Sequence, residues 1–388
     1  MKRDFLVSGV DPSLMREVLR EWRPVVDAEI ERLLPRVVDD AYLTDYFGQP
    51  TDEYDADAVQ RALADPLWDL LDRGGKRWRP VVFLLLVDGF GADPHDYLPY
   101  ACIPEILHNG TIIVDDVEDG AEMRRGEPAL HHRFGTDVAL NAGNAMYFLP
   151  LKIVSRNPAD LDAETRLRAW EMLIAELNRT HLGQGMDICW HNQQRVDVTE
   201  AQYFEMCACK TGCLGRIVAR LAAIVTGQSP ETERRVARYA ERMSVAFQVG
   251  DDILDVEHTI DLTDGVGEDA EAGDRTDEAD AGTGEFGKAF GNDIREGKKT
   301  LMVIHAANTA DPESVARLEE VLWADENTDA EIVEAVEILQ DAGSVEYARE
   351  QARDLASEAR EHLDAVELDP EVAADLKEFT RFVIDREA

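Results

Sequence analysis

The chain has 388 residues, with 80 Asp and Glu against 40 Lys and Arg, a formal charge of −40. An apolar share of 45% supports a sizeable core and excludes wholesale disorder, and a charge of this sign repels nucleic acid and anionic membrane surfaces. Only eight of the basic residues are Lys, the carboxylate-rich and lysine-poor usage expected of a halophilic protein whose self-repulsion is screened by concentrated salt.

Residues 1–10 carry Lys2 and Arg3 but no long apolar core or small-residue cleavage site, so no signal peptide is expected. Beyond them helical spacing dominates and strand alternation is scarce, which predicts an all-helical chain. Leu14, Val18, Leu19 and Trp22 form one stripe, continued by Val26, Ile30 and Leu33. A basic turn, Gly74-Gly75-Lys76-Arg77-Trp78-Arg79-Pro80, precedes the apolar run Val81 to Val87, which is far too short to span a bilayer. A helical run from near Tyr100 passes His108 and ends on Asp115, Asp116 and Asp119, with Arg124-Arg125-Gly126 behind it. Lys210-Thr211 follows a further helical segment, and a run through Met243, Val245, Phe247 and Val249 ends on Asp251, Asp252 and Asp255. Thr259 to Glu285 is dense in carboxylates and Gly, cannot bury apolar area, and predicts a mobile acidic loop inserted within one domain. Lys288 and Lys298 bracket Gly291-Asn292-Asp293, and the last third returns to helical stripes at Val315, Leu318, Val321 and Leu322, then Ile332, Val336 and Leu339. The expected organisation is one domain over 1–388, with a helical extension to about residue 70 and an insertion at about 259–285. Five Cys, odd in number and sparse, argue against a disulfide framework and suit a cytoplasmic protein. Cys207, Cys209 and Cys213 lack the companion ligands of a metal site and read as buried thiols.

The chemistry lies in spacing. Residues four apart on a helix share a face, about 5–6 Å from one another. Asp115 with Asp119, and Asp251 with Asp255, therefore each point two carboxylates one way, at a cost in repulsion and desolvation that bound cations remove. Hard oxygen donors with coordination places left open suit Mg²⁺ shared with substrate phosphates. Lys76, Lys210, Lys288 and Lys298 stand in motifs able to face phosphate, although the chain otherwise avoids Lys. Together with Arg79, Arg124 and Arg125 they imply a polyphosphate ligand. His108, two turns before Asp115, aligns with them as a further donor.

These motifs, with H-N-G-T-I-I-V-D-D-V-E-D, G-Q-G-M-D-I, F-Q-V-G-D-D-I-L-D and G-N-D-I-R-E-G-K-K-T, resemble in order and spacing the trans-isoprenyl diphosphate synthases of the polyprenyl synthetase family. The form of the first cluster is most similar to geranylgeranyl diphosphate synthases. The resemblance implies a large all-α bundle around a central cavity, the type I isoprenoid synthase fold. It implies a homodimer without membrane insertion that condenses isopentenyl diphosphate with an allylic diphosphate. Asp115, Asp119 and Asp251 would ligate three Mg²⁺ ions, with Asp116, Asp252 and Asp255 as outer or additional ligands. Arg124, Lys210, Lys288 and Lys298 would hold the allylic diphosphate, and Lys76, Arg79, His108 and Arg125 the isopentenyl diphosphate. Thr211 and Gln248 would stabilise the carbocation. Small residues at Gly110 and Thr111 would leave the product tunnel open, and Tyr147, Phe148 and His181 would floor it near twenty carbons; ordinary core packing is the other reading of those three. A farnesylgeranyl or longer polyprenyl synthase keeps every motif and differs in the floor. A terpene cyclase has no use for the Lys76 site, and a non-catalytic partner subunit tends to lose aspartates that are all present here.

Overall fold

The computed structural model describes residues 12–195, 197–264, 291–324 and 326–384. The helices that position the site are α1 (Pro12–Leu33), α2 (Asp40–Phe47), α3 (Asp65–Asp72), α4 (Trp78–Gly89), α5 (Leu98–Glu118), α6 (Thr136–Phe148), α7 (Ala163–Asn192), α8 (Glu200–Lys210), α9 (Gly212–Val225) and α10 (Pro230–Asp264). They are followed by α11 (Leu301–Thr309), α12 (Pro312–Leu322), α13 (Asp329–Asp341), α14 (Ser344–Asp364) and α15 (Pro370–Ile384). Among the described residues the one sheet is the hairpin of β1 (Met123–Arg124) and β2 (Glu127–Pro128), which turns at Arg125-Gly126. The chain is all-α, as its periodicity predicts.

Local chemistry sets the helix starts. Thr199 and Thr328 open α8 and α13 with reciprocal capping boxes to Gln202 and Glu331, and Asp162 and Asp311 accept the first free amides of α7 and α12. Helices α4 and α9 are apolar on nearly every face and bury on nearly every face. With α5 and α6 they form one core, and a second core gathers α10, α11, α13 and α14. Between α5 and α6 the spacing is unusually tight. A Cβ on Gly110 would lie 2.7 Å from Met146 Cβ and 2.9 Å from the Gly143 carbonyl, so the backbones touch only because both crossing residues are glycine.

Two expectations change here. Helix α10 does not stop at Asp255 but continues to Asp264, so the first residues of the acidic stretch are helical. Thr259 is buried, and its hydroxyl donates to the Asp255 carbonyl at 2.8 Å, satisfying itself within the helix. The rest of that stretch and Lys288 lie outside the described residues. Cys207, Cys209 and Cys213 are buried free thiols, and burial pushes each above its ordinary pKa. Among the described residues no helix is long and apolar enough to cross a membrane.

Candidate active site

The site is built around the ends of α5 and α8 and the middle of α10. Asp115 and Asp116 lie on the last turn of α5, and Asp119 is the residue that caps it. Lys210, the last residue of α8, places its ammonium 3.0 Å from Asp115 and 2.6 Å from Asp187 of α7. Gln184, one turn before Asp187, donates from Nε2 to Asp115 and to Glu118, each at 2.8 Å. Burial pushes the Asp115 carboxyl up, but Lys210 and Lys298 outweigh it and hold the group below its ordinary value. Asp119 meets the opposite fate: burial, then the charge of Asp115, raise it to about 7. The two lysines stay charged despite burial, Lys210 through Asp115 and Asp187, and Lys298 through Asp293 and Glu296.

Two bridges join the aspartate motifs. On one side α8 breaks at Thr211, whose hydroxyl donates to Gln248 Oε1 at 3.1 Å, and Gln248 Nε2 donates to Asp252 at 2.9 Å. On the other, the amide of Asp293 donates to Asp255 at 3.2 Å, and Lys298 reaches Asp293 at 3.3 Å while its charge is felt at Asp119. Asp251 is half-buried on α10, between Gln248 and Asp252 of the first bridge.

Not every aspartate is free for a cation. Asp252 is buried and accepts from Tyr203 at 3.0 Å on one oxygen and from Gln248 on the other. Asp116 is buried against the guanidinium of Arg124. Both are expected as outer or additional ligands; here each carboxylate has partners within the protein, and each second aspartate of the motif points a helical step away from its neighbour. Among the described residues no three His, Cys, Asp or Glu converge closely enough to hold an ion by themselves.

The basic half is different in kind. Gly74 (φ +90°) and Gly75 (φ +143°) turn the chain through conformations other residues rarely adopt, and Arg77 itself sits left-handed at φ 52°. Lys76 emerges from this turn, and Arg79 is buried on the first turn of α4, its guanidinium 4.3 Å from the Trp78 ring. Arg125 donates from the hairpin to the Gly74 carbonyl at 2.5 Å. His108 lies among these cations on α5. Burial, then Arg79, Arg125, Arg124 and Arg77, hold it well below its ordinary pKa, which favours a neutral imidazole.

The floor residues separate. Tyr147 is buried, with burial and then Glu118 and Asp115 raising its phenol. Phe148 is 69% exposed and His181 is exposed, its ring 5.4 Å from Tyr147 on the outer side. Adjacent helical residues point about 100° apart, so Tyr147 and Phe148 cannot both face inward. Gly110 also departs from expectation, since it meets α6 and not a tunnel, and the Thr111 hydroxyl is returned to the His108 carbonyl at 2.7 Å. Residues the sequence reading assigned no role include Asp187, Gln184, Tyr203, Glu105 and Asp27. The first two stand three apart in G-Q-G-M-D-I, a helical spacing that marks a shared face; the others have no motif to betray them.

Two facing aspartate motifs, a lysine at a helix break between them and a separate basic turn thus lie on one largely helical chain. It belongs to the polyprenyl synthetase family, whose model matches residues 60–277 and 274–339. The chain is 33% identical over 319 residues to a short chain isoprenyl diphosphate synthase of Methanothermobacter thermautotrophicus, covering 82% of this chain and 88% of that one. It is 30% identical to a geranylgeranyl pyrophosphate synthase of Geoglobus acetivorans, over 96% of this chain and all of the other. It is 31% identical to a geranylfarnesyl diphosphate synthase of Natronomonas pharaonis, over 82% and 88%. The crystal structure of geranylgeranyl pyrophosphate synthetase from Pyrococcus horikoshii superimposes with a TM-score of 0.76 at 27% identity, over 97% of this chain and 99% of that one.

Proposed function

We propose that the enzyme condenses isopentenyl diphosphate with an allylic diphosphate and stops at the twenty-carbon geranylgeranyl diphosphate. The observation that carries this reading is the pair of bridges joining Asp115 and Asp119 to Asp252 and Asp255 through Lys210, Thr211 and Lys298. Asp115, Asp119 and Asp251, with Asp255 nearby, would hold a cluster of three magnesium ions. The donor set fits, because burial and the neighbouring charge of Asp115 both raise the Asp119 carboxyl, a cost that a divalent ion would remove. Bound there, the ions would neutralise the departing diphosphate.

The chain's own groups do the rest. Lys210, Lys298 and Arg124 hold the allylic diphosphate as its C–O bond breaks and negative charge moves onto it. Lys76, Arg79, Arg125 and His108 hold isopentenyl diphosphate so that its double bond meets the carbocation. A new C–C bond forms, a proton leaves the adjacent carbon, and the departed diphosphate accepts it. Thr211 and Gln248 turn oxygen dipoles toward the cation, and no Ser or Cys nucleophile is needed. Water must be excluded, since it would quench the cation. Thr211's contact with Gln248 and the apolar packing of α9 favour such a dry cavity.

Product length rests on Tyr147, the buried aromatic of the expected floor, and on the geranylgeranyl synthases among the relatives. The geranylfarnesyl synthase of Natronomonas pharaonis makes a twenty-five-carbon product the second reading. Incubation with isopentenyl diphosphate and each allylic diphosphate, in Mg²⁺ and molar KCl, followed by chromatography of the dephosphorylated products, decides between them; a dominant C25 alcohol would overturn the first. A homodimer is part of the proposal. Leu167, Ile174 and Leu182, spaced seven and eight residues apart on α7, are 57%, 51% and 58% exposed, as is Phe148 at the end of α6 at 69%. One helix face this apolar suits a second copy of the chain. Light scattering should give twice the monomer mass, and Ile174→Lys should halve it.

A further inference from the structure

The N-terminal helix reaches the isopentenyl diphosphate pocket. Asp27 lies on the last third of α1, and its carboxylate accepts from Arg77 Nε at 2.7 Å. Arg77 stands in the middle of the basic turn yet offers nothing to a ligand. It is 4% exposed, and its other nitrogens donate to Glu105 at 3.0 Å, to the Gly74 carbonyl at 3.3 Å and to the Leu71 carbonyl at 3.1 Å. Its backbone is left-handed, a conformation that a non-glycine residue keeps where its surroundings hold it.

The pocket residues adjoin Arg77 in the chain or meet its partners. Lys76 precedes it and Arg79 follows two residues later. Arg125 donates to the same Gly74 carbonyl that Arg77 engages. Glu105, the buried carboxylate behind Arg77, also accepts from Asn109 Nδ2 at 3.2 Å, next to His108 on α5. One side of the clamp is thus built into α5, and the other is lent by α1. The α1 side is the adjustable one: Asp27 keeps 40% of its side chain exposed, against 5% for Glu105.

We infer that Asp27 is a positioning residue for isopentenyl diphosphate. Through Arg77 it sets the turn that presents Lys76 and Arg79, which makes α1 a structural part of that pocket. The inference rests on the assignment of the pocket to isopentenyl diphosphate under the proposed function. Because Asp27 is partly exposed and Glu105 remains, Asp27→Asn should fold normally while letting the turn wander.

Steady-state kinetics on the full chain test it, varying each substrate at saturation of the other. Asp27→Asn should raise KM for isopentenyl diphosphate roughly three- to tenfold, the loss of one charge-assisted hydrogen bond. KM for the allylic substrate and kcat should stay within about twofold, and Asp27→Glu should restore most of the loss. An unchanged KM for isopentenyl diphosphate overturns the inference, provided Lys76→Ala raises it. Should Lys76→Ala also leave it unchanged, the pocket assignment falls as well. Equal rises in both KM values, with a lowered Tm, would mark a merely structural contact and likewise overturn it.

Discussion

The two sites proposed for diphosphate, the aspartate-lined end of α5 and the basic turn before α4, carry opposite charge. The pocket at the end of α5 is lined with carboxylates, and its lysines are already committed to them: Lys210 to Asp115 and Asp187, Lys298 to Asp293 and Glu296. The pocket at the basic turn keeps its carboxylates, Asp27 and Glu105, behind Arg77, and burial together with its cations holds His108 well below its ordinary pKa. Under the proposed function the first would need divalent ions to offset its carboxylates before a diphosphate could bind, whereas the second would rely on its own cations. The difference would suit the proposed tasks, since only the allylic diphosphate would have to leave, and leaving is what charge neutralisation assists.

That contrast can be broken by experiment. The largest effect should come from the metal side: Asp115→Ala, or chelation of divalent ions, should lower turnover by at least about a hundredfold. Calorimetry in chelator should still detect isopentenyl diphosphate and lose the allylic substrate; loss of both would erase the distinction. Next, Tyr203→Phe removes one donor from buried Asp252 and should cost roughly tenfold in kcat with little change in KM for isopentenyl diphosphate, a split that steady-state rates will read. Tyr147→Ala should extend the products beyond the wild-type length without slowing the first condensation more than about threefold, within the spread expected for a group away from the reacting atoms; chromatography showing unchanged products would sink its role as a stop.

The smallest effect sharpens the comparison at the scale of two adjacent residues. Lys298 is held charged by carboxylates, while Lys299 is buried against Trp323, and burial, opposed only by Glu319, lowers it from 10.5 to about 8. Below pH 8 Lys299 is charged in both folded and unfolded chains, and the folded chain bears the cost. Between about 8 and 10.5 the unfolded chain binds more protons, so stability contributed by this group rises with pH. Lys299→Met should therefore stabilise the protein at pH 7 by on the order of 1 kcal/mol, and denaturant titrations should show the gain shrinking toward pH 10.

What could be read from the chain was whatever one helix decides alone. Spacing alone placed Asp115 with Asp119 and identified the helical stripes, and the turn chemistry of Gly74-Gly75 marked the basic loop before any fold was known. Which aspartate is spent internally was not legible, because Tyr203 and Arg124 reach Asp252 and Asp116 from other elements. Phe148 and His181 were misplaced for a related reason: an aromatic residue beside a buried one carries no mark of the direction it faces. Asp27 is one acid among 80 Asp and Glu, and only the packing of α1 singles it out.

The glycine contact between α5 and α6 carries a consequence for how such an enzyme diversifies. A side chain at Gly110 would not plug the hydrocarbon path, as an obstruction placed inside it would. It would strike Met146 and the Gly143 carbonyl and wedge the two helices apart. Position 110 is thus a spacer that gauges the width of the wall, and a single methyl group there would retune the whole length of α6, Tyr147 included, in one step.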